Sequence, residues 1–245
     1  MRPIRIVALT LLTGSVLPAC GIDVHMGDGR AVTGSGTVVT RDIPVTSFSK
    51  IEVSSAFVVT VSFGSSEEAT VRVDDNMIDE LDVEVSGDTL RIALRSGVSV
   101  RDATLEADVI ARSLDEVEGS GAARITLGEP LSGEQFDVTL SGASTLTGEL
   151  TTVDATMELS GAASADLAGS VSGLELTASG ASELSGPDLT IGELTIDLSG
   201  ASQASVTVTG SISAVVTGAS SLSYAGTPTL EEEEVSGGSQ IVPLG

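Results

Sequence analysis

The amino-acid sequence predicts an all-β fold in which successive coils of chain stack on one another. A Ser/Thr-Gly-Ala/Gly motif returns seven times in the second half of the chain, at steps of 18 to 21 residues. A repeat of about twenty residues without helical periodicity is typical of β-solenoids. Aromatic residues make up only 2% of the chain, so the core must consist mainly of Val, Leu, Ile and Ala. Small aliphatic side chains suit thin, closely stacked coils.

The amino terminus has the pattern of an export signal. Two arginines precede an apolar stretch over residues 6–17, which is too short to span a membrane as a helix. The following Leu-Pro-Ala-Cys segment ends at Cys20 and resembles the bacterial lipobox, in which the signal is cut before a cysteine that then carries lipid. Cys20 is the only cysteine, and lipidation explains its lack of a partner. We predict a signal peptide over residues 1–19 and lipid attachment at Cys20. The alternative is an ordinary signal with an incidental cysteine.

A tether and a set of short strands follow the signal. Residues 20–36 are rich in Gly and polar residues, which predicts a flexible tether. From residue 37 to about residue 112, apolar and polar residues alternate with a period of two, and Gly- and Ser-rich turns interrupt them. This pattern predicts β-strands joined by turns. Residues 74–80 are the one segment that we expect to form a short helix or turn.

The repeated motif predicts a corner in each coil. Residues two and four positions before each glycine are mostly apolar and the residue between them is often polar, as expected for a strand with one buried face. Glycine permits the backbone geometry of a corner, and the following alanine is expected to let coils approach inside it. The Ser/Thr hydroxyls just before the glycines are expected to stack into a ladder. The predicted corner glycines are Gly121, Gly142, Gly161, Gly180, Gly200, Gly218 and Gly237.

The regular coils are predicted over about residues 113–227, and residues 228–245 are predicted to form a C-terminal cap. Pro228, Pro243 and the run from Glu231 to Glu234 break the regularity of the repeat. Glu233 also replaces an apolar residue of an inward column. A charged edge blocks the addition of further strands, so these residues are expected to end the solenoid.

The charge of the chain is strongly negative and unevenly placed. The formal net charge is −24, and all eleven Lys and Arg residues lie at or before Arg124. Sixteen acidic residues and no cation follow Arg124. Because nucleic-acid binding requires cations that contact phosphates, this distribution excludes DNA and RNA as partners. The same charge is expected to favour solubility and to protect exposed sheet edges.

The chain holds few groups with catalytic chemistry. His25 is the only histidine and lies in the predicted tether, so a Ser-His-Asp triad and an imidazole metal site are both excluded. The glycine-rich segments lack the lysine of a phosphate-binding loop, and we predict no cofactor. Paired carboxylates that cleave polysaccharides are one remaining possibility. The candidates are Asp74, Asp75, Asp79 and Glu80, which we interpret as a solvated turn.

Calcium is the metal ion that best suits an acidic surface, because hard cations take carboxylate oxygens. The Gly-Gly-x-Gly-x-Asp calcium repeat is absent from the sequence. Outward acids such as Asp137, Glu158 and Asp197 are therefore interpreted as spread surface charge, and no metal site is predicted.

Several segments together resemble the auto-transporter adhesin head GIN domain family. They are the run from Phe48 to Val61, the strand pattern over residues 81–94 and the repeated Ser-Gly-Ala-Ser motif. The resemblance covers about residues 36–245 and implies a single-stranded, right-handed parallel β-helix on an exported bacterial lipoprotein, with the domain over residues 37–245. This chain has Ser54-Ser55-Ala56 at the first corner, where the family commonly has Ser-Gly-Ala.

Taken together, these observations predict a non-enzymatic lipoprotein of the bacterial cell envelope, attached by lipid to the outer membrane. The domain is expected to act as an adhesion or scaffold module that presents acidic faces to an envelope or surface ligand, either protein or glycan. Two alternatives stay open at this point. One is a polysaccharide-active β-helix enzyme, and the other is a purely structural envelope protein.

Overall fold

The computed structural model describes residues 30–244 and consists almost entirely of β-strands. The strands form a β-solenoid of about seven turns, which confirms the predicted fold class. The predicted signal peptide, Cys20 and the first part of the predicted tether lie outside the described residues. The elements in chain order are β1 (Arg30–Thr33), β2 (Val38–Ile43), β3 (Lys50–Val53), β4 (Val58–Phe63), β5 (Glu68–Asp74), a 3-10 helix (Asp75–Glu80), β6 (Leu81–Ser86), β7 (Thr89–Leu94), β8 (Val98–Arg101), β9 (Leu105–Ala111), β10 (Glu116–Gly119), β11 (Arg124–Leu127), β12 (Leu131–Leu140), β13 (Thr145–Leu159), β14 (Ser164–Ala178), β15 (Glu183–Leu198), β16 (Gln203–Val216), β17 (Ser221–Ala225), β18 (Thr229–Val235) and β19 (Gln240–Pro243).

From β10 onward, each coil pairs in parallel with the coil that precedes it in space. The pairing keeps repeat positions in register, so that Leu140 lies beside Leu159, and Leu159 lies beside Ala178. Small register shifts occur in the later coils, two between β15 and β16 and one each between β14 and β15 and between β16 and β18. Equivalent residues of the repeat therefore form columns that run along the solenoid axis.

The core consists of the apolar columns that the repeat predicts. The column four positions before the corner glycines is buried from Val117 to Ala214, and the columns on either side of the corner are buried in the same coils. Complete burial of one Leu or Ile side chain contributes about 1.5–3 kcal/mol to stability. A single coil is one strand thick, so this contribution depends on the coils stacked above and below it.

The N-terminal end has a topology in which spatial order differs from chain order. Strands β3 and β4 form a coil that lies between β10 and β11 on one side and β7 and β9 on the other. Beyond that coil the pairing becomes antiparallel: β6 pairs with β7, while β5 pairs with both β9 and β2. The 3-10 helix connects β5 and β6, and its Met77 side chain is buried. The antiparallel strands thus close this end of the core.

The fold begins earlier than the sequence pattern predicted. Residues 30–36 were expected to be flexible tether, but β1 pairs in parallel with β8 and Val32 is buried. The Gly34 N–H donates to the Arg101 carbonyl at 3.0 Å, and the Gly36 N–H donates to Asp74 Oδ1 at 2.6 Å. These contacts come from residues about 40 to 70 positions away in the chain, which a local reading of composition does not detect.

Residues 228–244 form one more coil rather than a distinct cap. Strand β18 pairs in parallel with β16, and β19 pairs in parallel with β17. All seven residues of β18 are exposed, because no further strand within residues 30–244 covers them. Between residues 30 and 244 there is also no helix with the length and apolar composition needed to cross a membrane.

Candidate functional site

The most regular surface feature is the column of corners that joins the two strands of each coil. The seven corner glycines have φ angles between 68° and 81°, a region that favours glycine. At every step the N–H of the residue after the glycine donates to the carbonyl of the corner residue in the preceding coil, at 2.7 Å. A Cβ atom on Gly161 would lie 2.8 Å from the Gly142 oxygen. The corners therefore fix the spacing of the coils, and from Gly121 onward only glycine fits within the column.

The first corner is present even though its glycine is replaced. Ser55 has a φ angle of 67°, close to the value of the corner glycines. The Ala122 N–H donates to the Ser55 carbonyl at 2.7 Å, and Gly121 stacks directly on Ser55. The Ser55 hydroxyl accepts a weak hydrogen bond from the Leu94 N–H at 3.4 Å. A serine in this backbone conformation costs about 1–3 kcal/mol, which the surrounding coils must offset.

The interior of the corner is occupied by a residue that the sequence reading missed. The alanine after each glycine is exposed, so the expectation that it lies inside the corner was wrong. The residue two positions after the glycine points inward instead, and it is serine in several coils. The Oγ–H groups of Ser144, Ser182 and Ser202 donate to the carbonyl three residues earlier, at 2.7–2.8 Å. A Ser-x-x-Ser spacing is typical of such local side-chain hydrogen bonds and was the available signal.

The hydroxyls that precede the glycines do not form the expected ladder. These residues are mostly half-exposed, and only Ser199 and Thr217 donate to a neighbouring coil, at 3.5 and 3.4 Å. The bonds are long because the backbone N–H groups of the same residues already occupy those carbonyls. The well-formed hydroxyl bonds therefore belong to the inner position of the corner.

The strands that precede the corners carry a surface that we call the acidic face. It consists of the outward residues three and five positions before each corner glycine. Its members are Glu116, Glu118, Asp137, Thr139, Thr156, Glu158, Glu175, Thr177, Thr195, Asp197, Ser213, Val215, Glu232 and Glu234. Eight of these fourteen residues are acidic and none is a cation.

Acids and threonines alternate on the central part of this face. In four successive coils each pair holds one acid and one threonine, and the acid changes column at every coil. Within one column Asp137 lies beside Thr156, Thr156 beside Glu175, and Glu175 beside Thr195. Acids of one column are therefore two coils apart, or about 9.6 Å at about 4.8 Å per coil. Like charges directly opposite each other destabilise a sheet, and the alternation avoids such contacts among these four coils.

Acids do stack directly at the N-terminal margin of the acidic face, where cations are also present. Glu118 lies beside Glu52, and the Arg91 side chain donates to Glu52 at 2.7 Å. Lys50 forms an ion pair with Glu116 at 3.1 Å, and that contact raises the pKa of Lys50. Partial burial raises the pKa of Glu118, and the charges of Glu116 and Glu52 raise it further.

The strands that follow the corners carry a different surface, which we call the hydroxyl face. It consists of the outward residues three and five positions after each corner glycine. Its members are Arg124, Thr126, Thr145, Thr147, Ser164, Asp166, Glu183, Ser185, Gln203, Ser205, Ser221, Ser223, Gln240 and Val242. Only two of them are acidic. The two sides of each corner thus present clearly different chemistry.

A shallow groove of about 570 Å³ lies beside the acidic face, in the part of each coil that comes just before that face in the chain. Its floor includes Gly173, Gly192 and Gly210, and a Cβ on Gly210 would lie 2.6 Å from the Gly192 oxygen. Asp154 and Glu193 lie on either side of Gly173 in the same column. Hydroxyls and carboxylates line the groove, so it offers hydrogen-bond acceptors along its length.

The four acids considered as candidate carboxylate pairs lie in three different environments. Asp74 is buried, and its two oxygens accept the N–H groups of Gly36 and Thr104 at 2.6 and 2.7 Å. The interpretation of a solvated turn was therefore wrong for this residue, which joins β1 and β9 to the end of β5. Of the other three, Asp75 and Asp79 are exposed and Glu80 pairs with Arg30.

The outward acids considered for calcium do not converge. Glu158 lies between Thr139 and Thr177 in its column, and Asp197 lies beside Thr177. Asp137 lies between Glu116 and Thr156, so it has one acidic neighbour in its column. Among residues 30–244, no three acidic, histidine or cysteine side chains are close enough to hold a metal ion.

The fold and its surfaces define a class of protein: a β-solenoid that displays ordered columns of side chains on rigid faces. The chain matches the family model described as "Putative auto-transporter adhesin, head GIN domain" over residues 47–228, and it belongs to this family. The predicted family is thereby confirmed. A comparison with proteins of curated function found no significant match.

Several solved structures share the fold. A "putative adhesin" from Bacteroides fragilis superposes with a TM-score of 0.82 at 20% identity, over 87% of this chain and 100% of its own. A "putative adhesin" from Parabacteroides merdae gives a TM-score of 0.70 at 18% identity, over 88% and 99% of the two chains. A "putative lipid binding protein" from Parabacteroides distasonis gives 0.69 at 15% identity, over 88% and 100%.

Proposed function

We propose that this protein is a non-enzymatic adhesion or scaffold module of the bacterial cell envelope and that the acidic face is its contact surface. The alternation of acids and threonines over four coils is the observation that carries the proposal. Membership of an adhesin family supports the general class, although similarity of fold alone does not identify a ligand. The argument for a particular contact surface therefore comes from the side chains that this chain places on the acidic face.

The chemistry of this face selects for partners that donate hydrogen bonds. Carboxylates accept from ammonium, guanidinium, amide and hydroxyl groups, and threonine hydroxyls both donate and accept. Because the sheet backbone holds the side chains at regular spacing, little conformational freedom is lost when a partner binds. Polyanions are repelled by the same charge. The partners that fit are therefore proteins with exposed Lys or Arg and glycans with free hydroxyl or amino groups.

The experiment compares two variants with equal loss of charge. The acidic-face variant carries Asp137→Asn, Glu158→Gln, Glu175→Gln and Asp197→Asn. The control variant carries Glu149→Gln, Asp166→Asn, Glu183→Gln and Asp188→Asn, all exposed and outside the acidic face. Cells that express the full chain are measured for attachment to wells coated with histone, a basic protein, or with mucin, an anionic glycoprotein.

We expect wild-type cells to attach to histone-coated wells more than cells without the protein do, and the acidic-face variant to lose most of that attachment. The control variant should keep it. Equal losses in both variants would show that only total charge matters and would contradict the assignment of this face. Protease treatment of whole cells separates the two forms of the proposal, because a surface adhesin is cleaved and a periplasmic scaffold is protected.

We further propose that lipid on Cys20 anchors the protein in the outer membrane. The support is the Leu-Pro-Ala-Cys segment that follows the apolar stretch, together with the absence of a second cysteine in the chain. Two or three acyl chains anchor a protein stably, whereas one chain binds reversibly. A Cys20→Ala change should leave the precursor unprocessed or release the protein from membranes. Unchanged partitioning into the membrane fraction would remove the anchor from the proposal.

A further inference from the structure

We propose that the last coil is a docking edge for an extended segment of a partner protein that contains Lys or Arg. The segment would pair with β18 as the next strand of the solenoid. The inference concerns the C-terminal end of the molecule, where β18 carries the last two residues of the acidic face, and it does not depend on the four central coils of that face.

The backbone of β18 provides the first part of the argument. One side of the strand pairs with β16, and within residues 30–244 its other side pairs with no strand. Such an edge presents a row of free N–H and C=O groups to solvent. Extended peptides bind to exposed edges of this kind by adding a strand, with backbone hydrogen bonds that supply affinity.

The side chains at this end provide the second part. Two inward columns of the core end at β18 in apolar residues that no other strand within residues 30–244 covers: Leu230 lies beside Ile212, and Val235 lies beside Val216. Leu230 and Val235 are each 41% exposed, whereas the residues next to them are buried. An added strand with apolar residues on its inner side would bury these side chains as an additional coil does.

The charge of the edge specifies the partner. Glu231 to Glu234 are consecutive in β18 and all exposed, and Glu233 lies beside Ala214 at a position that is apolar in every other coil. No cation occurs after Arg124, so none from the neighbouring coils neutralises these charges. The same edge of a second copy is repelled, while a strand with Lys or Arg beside its apolar residues is attracted. The negative charge therefore favours binding of a cationic strand over pairing with the same edge of a second copy of this chain.

The test uses the full-length protein in detergent solution and a fluorescently labelled peptide of alternating Val and Lys, about ten residues long. A peptide in which Glu replaces Lys and a Val-Lys peptide with alternate N-methylated amides serve as the matched probes. Anisotropy gives the affinity, and hydrogen exchange of residues 229–235 gives the location. N-methylation keeps the charge but removes the donors needed for strand pairing.

We expect the Val-Lys peptide to bind and to protect residues 229–235, and the other two peptides to bind at least about tenfold more weakly. Replacing Glu231–Glu234 with Gln should weaken the Val-Lys peptide about tenfold, whereas the acidic-face variant should change its affinity less than about twofold. Any of three results would overturn the inference: equal binding of the N-methylated peptide, weakening by the acidic-face variant alone, or a wild-type dimer in sedimentation that already protects β18. None of these results would bear on attachment through the four central coils of the acidic face.

Discussion

The two ends of the solenoid are closed by different means. At the N-terminal end the chain folds back, so that antiparallel β5 and β6 pair with β9 and β7, which lie on the β3–β4 coil, and Met77 is buried in the core. At the C-terminal end the last coil keeps the parallel register of the others, and β18 is exposed along its whole length. One end is covered by antiparallel strands, whereas no strand within residues 30–244 covers the other, which carries negative charge instead.

The distribution of charge follows the same division. Arg72 of β5 bridges Glu106 and Asp108 of β9, and Arg91 of β7 bridges Glu52 and Asp82. Opposite charges thus join the strands of the closed end, where chain direction and order are irregular. All charged residues in the coils after Arg124 are acidic. A regular parallel edge is a template for unwanted pairing, and negative charge opposes that pairing. The comparison shows that irregular topology and uniform charge are two solutions to the same edge problem.

The largest expected difference between the ends concerns apolar side chains. Met77→Ala should lower the free energy of unfolding by about 3 kcal/mol, because the side chain is fully buried and leaves a cavity. Leu230→Ala should lower it by less than about 1 kcal/mol, because the side chain is already partly in water. Urea unfolding monitored by circular dichroism measures both changes. Equal losses would show that the C-terminal coil is covered in solution.

The corner column allows the same comparison between the middle of the solenoid and its open end. Gly161→Ala should cost about 2–3 kcal/mol, because φ is 76° and the Cβ atom would lie 2.8 Å from the Gly142 oxygen between two coils. Gly237→Ala meets a similar obstruction, 2.5 Å from the Gly218 oxygen, but the last coil can move outward. We expect it to cost at most half as much in thermal unfolding. A larger loss at Gly237 would contradict the idea of a free last coil.

A smaller effect should distinguish the inner corner serines. The Ser182 Oγ–H donates to the Ser179 carbonyl at 2.8 Å, whereas the buried Ser220 Oγ has no hydrogen-bond partner. Ser182→Ala should cost about 0.5–1.5 kcal/mol, the usual net contribution of a hydrogen bond. Ser220→Ala should be neutral or stabilising, because it removes a buried polar group without a partner. Equal costs in chemical denaturation would contradict this difference.

The smallest expected effect is a dependence on pH at the margin of the closed end. The pKa of Glu118 is raised in the folded protein, so the folded state binds this proton more tightly than the unfolded state does. The resulting contribution to stability is present at pH values below the ordinary carboxyl pKa and is lost as the pH rises through the raised pKa. Glu118→Gln should therefore be slightly more stable than wild type near neutral pH and should lose that advantage in acid. A difference between wild type and variant that is independent of pH, measured by thermal unfolding across pH 3 to 8, would contradict this assignment.

Much of the candidate surface could be predicted from the repeat alone. Once the corner glycines are aligned, positions three and five residues before them identify the outward residues of the acidic face, such as Glu158 and Asp197. The inner corner serines were missed because the alanine beside each glycine is small enough to fit inside the corner. The positive φ of the glycine turns that alanine outward, and the serine after it turns in.

The stacked coils, their inward columns and the one-sided charge follow from the sequence, because one repeat equals one coil and parallel in-register pairing places like residues beside like. The tertiary structure alone decides the order of strands at the N-terminal end, where β3 lies between β7 and β10. It also decides that Ser55 adopts a corner conformation and that residues 30–36 join the fold. These features depend on contacts between residues tens of positions apart. Each strand has many possible partners elsewhere in the chain, and the pattern within one repeat does not identify which of them it pairs with.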